Sequence, residues 1–99
     1  MIYPKELIIA YIEKYITDDW SLSEGSEWIN LDSPFVRDTQ KRLGFNYVSN
    51  VGNDFKLGQS WQSFDKFVAF HQEISEPNAR SLLMRLFLEL KKNNKIDFG

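Results

Sequence analysis

The sequence predicts a small α+β domain, an antiparallel sheet flanked by about three helices. Three observations predict it. Residues 5–16 and 76–93 carry apolar side chains at helical spacing. Between them lie short alternating segments around Ser49-Asn50-Val51-Gly52, a hairpin turn signal. The chain has 99 residues, room for one domain, and its 42% apolar and 15% aromatic content is enough to build a core.

Each element has its own reason. In the first helix Leu7, Ile8, Tyr11, Ile12, Tyr15 and Ile16 share one face, and Pro4 suits the first turn, where a missing N–H costs nothing. Residues 17–26 are polar, with Gly25 as a turn; Trp20 and Leu22 mark a short edge strand. Residues 27–31 read as a strand broken at Ser33-Pro34-Phe35, because Pro34 lacks a ladder donor and biases Ser33 toward extended backbone. Two strands follow at about 42–48 and 53–57, with Leu43, Phe45 and Tyr47 on one face of the first. Gly58-Gln59-Ser60 reads as a loop. A second helix spans about 63–73, with Ser63 as N-cap and Phe64, Phe67, Val68 and Phe70 or His71 as its apolar side. Glu76-Pro77 opens a third helix with the stripe Ala79, Leu82, Leu83, Leu86, Phe87 and Leu90.

Composition excludes several functions. There is no cysteine, which rules out a disulfide framework, a thiolate zinc site and a cysteine nucleophile. His71 is the one histidine, which argues against a histidine metal site or a Ser-His triad. No apolar run approaches the ~18 residues of a membrane span. The start lacks the basic-then-apolar pattern of a secretory signal, so a soluble cytoplasmic protein is expected. No phosphate-binding loop or hydrolase motif is present, and no cofactor is implied. Asp18, Asp19, Asp32 and Asp38 are candidates to gather around Mg²⁺, but scattered over loops they read as solvated surface. The net charge of −2 conceals an asymmetry: residues 1–33 hold two basic and seven acidic groups, residues 34–99 ten and seven. The second part suits an ordinary mixed surface or a face toward a polyanion.

One stretch is more specific. Ser33-Pro34-Phe35-Val36, then 17 residues, then Asp54-Phe55-Lys56-Leu57-Gly58 resembles the N-terminal zinc-ribbon domain of bacterial and phage DNA primases. That family's pattern runs Cys-Pro-Phe-His, a hairpin of similar length, then Cys-Phe-x-Cys-Gly. Pro34, Phe35, Phe55 and Gly58 stand at the non-ligand positions. The ligand positions hold Ser33, Val36, Asp54 and Leu57, which cannot bind zinc as a set because Val and Leu have no donor atoms. The likeness covers about residues 7–87, from the first helix with Tyr15, through the hairpin strand 41–47 and the helix 63–68, to the last helix at 79–83. It implies a zinc-ribbon-like, metal-free sheet whose two knuckle turns face each other. A structural zinc supplies ~10–16 kcal/mol in small peptides. In its place Val36 and Leu57 are expected to meet as an apolar pair, each burial giving roughly 1.5–3 kcal/mol. Asp54 is expected to accept from the Ser33 hydroxyl or nearby backbone N–H groups.

The resemblance implies a single-stranded DNA template-binding domain of a primase or primase-helicase of a phage or mobile element. The chain has no room for the catalytic core, so that core would be linked or separate and the domain alone would not polymerise nucleotides. Single-strand binding needs basic groups along the phosphates and aromatics for stacking. The candidates are Arg37, Lys41, Arg42, Lys56 and Trp61, with Phe45 and Tyr47 available only if the helices leave their strand face uncovered. Two rivals stand beside this reading. A winged-helix protein would bring Arg80, Arg85, Lys91 and Lys92 to duplex phosphates. A protein-interaction domain without nucleic acid would anchor on Trp20, Trp28 or Trp61.

Overall fold

The computed structural model of the chain describes residues 1–93. The elements run α1 (Lys5–Tyr15), β1 (Trp20–Leu22), β2 (Trp28–Leu31), β3 (Leu43–Asn46), β4 (Gly52–Asp54), β5 (Gln59–Trp61), α2 (Phe64–Gln72) and α3 (Glu76–Lys92). The five strands make one antiparallel sheet in chain order, so the fold is α+β as the sequence predicts.

Several boundaries differ from expectation. Pro4 stands at the N-cap of α1 rather than in its first turn, and its carbonyl accepts from the N–H groups of Leu7 and Ile8. Phe55, Lys56 and Leu57 are turn residues, not strand, because β4 stops at Asp54. Gln59 and Ser60, read as loop, belong to β5; the pairs Gly52–Trp61, Asn53–Ser60 and Asp54–Gln59 hold them there. Ser63 does occupy the N-cap of α2, but its hydroxyl donates to Asp65 Oδ1 instead of capping the helix. Ser75 performs that task for α3, its oxygen accepting from the Asn78 N–H at 3.3 Å.

Register decides which sheet face becomes core. Ile29 lies opposite Phe45, Leu31 opposite Leu43, Leu43 opposite Asp54, and Gly52 opposite both Phe45 and Trp61. Opposed residues share a face, so all of these point to one side. That side packs against Leu7, Ile8, Tyr11, Ile12, Phe64, Phe67, Val68, Ala79, Leu83 and Leu86 of the three helices. Phe45 is therefore core, and Tyr47 is half-buried beyond the end of β3. Gly52 is required by close approach: a Cβ there would lie 2.9 Å from the Phe45 ring.

Phe67 is the hub of the aromatic core. Its ring meets Phe45 at 4.6 Å and Trp61 at 5.0 Å, both edge to face, and lies nearly parallel to His71 at 5.6 Å. Such pairs add ~0.5–1.5 kcal/mol each beyond area burial. The N-terminal segment is tied to the sheet by Asn50, which is buried. Its Oδ1 accepts from the Tyr3 N–H at 2.5 Å and its Nδ2 donates to the Tyr3 carbonyl at 3.1 Å. No described helix is long and apolar enough to cross a membrane.

Candidate functional site

Antiparallel pairing of Leu31 with Leu43, and of Leu43 with Asp54, brings the loop 32–42 and the turn 55–58 to the same end of the sheet. The segments 33–36 and 54–57 singled out in the sequence both lie here.

Carboxylates hold the backbone of this end. Asp38 accepts from the N–H groups of Ser33, Gln40 and Arg42, each at 2.9 Å. Partial desolvation pushes its pKa up, but these three donors together with the Arg42 charge outweigh that effect and hold it below the usual carboxylate value. Asp32 accepts from the Lys41 N–H at 2.8 Å and so fixes Lys41 in the left-handed region at φ 49°. Asp54 Oδ1 accepts from the N–H groups of Lys56 and Leu57 at 3.0 and 2.8 Å, and Gly58 closes the turn at φ 77°. Of the two partners expected for Asp54, the backbone is the one used. The Ser33 hydroxyl instead accepts from the Phe35 N–H at 3.2 Å. Val36 and Leu57 are half-buried and stand outside the core cluster, so the main apolar support lies elsewhere, in Phe35 and Trp61.

The cations are arranged by this backbone. Arg37, Arg42 and Lys56 line one cleft of about 280 Å³ together with Asp38, Thr39 and Gln40. Arg37 and Lys56 are exposed; Arg42 is half-buried and donates to the Gln40 side-chain oxygen. Among the described residues, none of these three cations is in an ion pair. Lys41 differs: its Nζ lies 3.4 Å from Asp19 and it does not line the cleft.

Trp61 is a correction. It is 5% exposed, and its ring packs against Phe35, Phe67 and Phe70, so it supports the loop from beneath rather than offering a stacking surface. Phe55, next to Lys56, is 76% exposed. In the sequence Phe55 stands at a non-ligand position of the primase-like pattern, inside the segment 53–57 expected to be strand. The signal available was Asp54 four residues before Gly58, which is a turn pattern that leaves the intervening side chains outside the ladder.

The other candidates fall apart spatially. Among the described residues no group of three acidic or histidine side chains is placed to hold a metal ion. His71 lies on α2 with Nδ1 at 2.6 Å from the Tyr11 hydroxyl. Of the winged-helix cations, Arg80 is 3.7 Å from Asp65, while Arg85 and Lys92 are exposed. Trp20 donates to Glu13 Oε2 at 3.0 Å and Trp28 lies over Gly44, both half-buried. Comparison with protein-family models, with curated proteins and with solved structures finds no match to this chain.

Proposed function

We propose that this chain binds single-stranded DNA weakly through the basic end of its sheet, as the template-binding domain of a DNA primase or primase-helicase. The observation that carries the reading is the cleft in which Arg37, Arg42 and Lys56 meet, none in an ion pair among the described residues, with the exposed Phe55 next to Lys56 in the turn. Cations tracking a backbone beside an aromatic face are the two parts that single-strand binding needs. Asp32, Asp38 and Asp54 sit at the same end, so the local charge balance is small and affinity is low. Non-specific binding is typically ~10⁻⁴–10⁻⁶ M at physiological salt. The charge of Lys41 is offset by its ion pair with Asp19, so Lys41 contributes little.

The test is titration of a fluorescent single-stranded oligonucleotide at several salt concentrations. Arg42→Glu with Lys56→Glu is expected to abolish binding. The single changes Arg42→Gln and Lys56→Gln should each reduce the magnitude of the log–log salt slope by about 0.7. Arg80→Glu with Arg85→Glu should spare binding. The reverse pattern, with a preference for duplex, would establish the winged-helix alternative. Binding of neither form would leave the protein-interaction class.

A further inference from the structure

A second cleft is lined in part by Phe35 of the loop 32–42. Phe35, Ala69, Phe70, His71 and Glu73 line a space of about 510 Å³. Phe35 and Phe70 meet edge to face at 5.0 Å, and Phe70 keeps 44% of its surface exposed. The cleft therefore offers an open aromatic face on a rigid support.

It also offers a polar group, the His71 imidazole. Gln72 Nε2 donates to the Tyr11 hydroxyl at 2.9 Å, and that hydroxyl lies 2.6 Å from His71 Nδ1. Burial lowers the His71 pKa, so the ring is neutral near pH 7. Nδ1 is engaged with the Tyr11 hydroxyl, while the second ring nitrogen, Nε2, has no hydrogen-bond partner among the described residues. An imidazole with one unengaged nitrogen, a flat aromatic face and the Glu73 carboxylate at the margin suit the face and the polar edge of a nucleobase.

Phe35 of this cleft and Arg37 of the basic one belong to the same loop. Arg37 follows Phe35 by two residues, a chain reach of about 7 Å. Resting on the single-strand reading above, we infer that the Phe35–Phe70–His71 cleft receives an unpaired base of the strand whose phosphates lie at Arg37, Arg42 and Lys56. The occupant is a base of a bound strand, because Phe35 of this cleft and Arg37 of the cationic one lie two residues apart on one loop, within reach of neighbouring units of one strand.

The experiment compares a mixed-sequence 12-nucleotide single strand with a strand of equal length made wholly of abasic sites. Wild-type protein should bind the base-bearing strand at least about 5-fold tighter, the low end of stacking on one aromatic side chain. Phe70→Ala should remove part of that preference while leaving the salt slope unchanged, since the phosphate contacts are intact. Phe70→Leu keeps apolar packing without a flat ring and should behave as Phe70→Ala does; Phe70→Trp should restore the preference. An unchanged preference in a folded Phe70→Ala or Phe70→Leu protein would overturn the inference, as would equal wild-type affinity for both strands. If Arg42→Glu with Lys56→Glu abolishes binding while the Phe70 variants bind as wild type does, this inference fails alone. If neither strand binds, the single-strand reading fails with it.

Discussion

The two ends of the sheet solve the same problem with different chemistry. At one end the β3–β4 turn is held by amides: Asn46 Oδ1 accepts from the N–H groups of Val48 and Ser49, and Asn50 clasps both backbone groups of Tyr3. At the other, the loop 32–42 and the turn 55–58 are held by Asp32, Asp38 and Asp54. The amide end is neutral in its capping groups and serves to tie the N-terminal segment down. The carboxylate end carries Arg37, Lys41, Arg42 and Lys56. A carboxylate that accepts several backbone N–H groups holds a loop firmly and can stay ionised while doing so. The cations around it are thus positioned by backbone, and among the described residues three of them stay out of ion pairs. Carboxylate capping makes the loop rigid at a cost in net positive field, which is why weak binding is expected there.

Breaking the amide end should have the largest effect on stability. Asn50→Ala strips two buried backbone groups of partners and leaves alanine at φ 68°. The expected loss is roughly 2–4 kcal/mol in urea unfolding. Nucleic-acid binding by the remaining folded protein should be unaltered. Asn50→Gly should recover the backbone part and stay destabilised.

Gly52→Ala tests the sheet between the two ends. Its Cβ would press on the Phe45 ring, and overpacking of this kind costs ~1–3 kcal/mol. Differential scanning calorimetry should show the drop in Tm.

Asp38→Asn sharpens the comparison at the carboxylate end. It removes a negative charge beside three cations, so a purely electrostatic site would bind a single strand more tightly. Here the charge-assisted bonds to three N–H groups are weakened and the loop loses its shape. Affinity should fall by a few-fold, a change on the order of 1 kcal/mol. Tighter binding by this variant would show that the loop's shape does not matter.

The smallest effects are in pH dependence, and they have opposite signs at opposite ends. The Asp38 pKa is depressed from its ordinary value of 3.8, so its contribution is full above that pH and is lost as pH falls through the folded value. His71, depressed by burial from 6.5, contributes fully above 6.5 and loses its contribution as pH falls through its folded value. Tyr3, tied to the amide end, is pushed up to about 12 by burial and then by the Asp65 charge. Its contribution is full below the ordinary value of 10.0 and is lost as pH rises toward 12. Thermal melts across pH should show two acid steps, the upper removed by His71→Gln and the lower by Asp38→Asn. The alkaline step should be reduced by Tyr3→Phe, the remainder coming from Tyr11, whose pKa burial also raises.

Local pattern alone determined the three helices, because apolar spacing sustained over nine or more residues has few other solutions. It also determined β2, the hairpin at 49–52 and the break at Pro34, where backbone chemistry leaves little choice. Tertiary structure decided the rest. β5 exists because Gly52 and Trp61 pair across strands; a three-residue segment with one apolar side chain carries no periodicity of its own. Trp61 is core and Phe55 exposed because the end of β4 at Asp54 sets which side chains stay on the buried face and which enter the turn. Charge counting located the basic part of the chain, but not which cations are neutralised. That depended on Asp19 meeting Lys41 from a distant segment, and on the Asp38 oxygens accepting from three backbone N–H groups. An ion pair or a buried ring is a property of two segments brought together, so neither can be read from one segment alone.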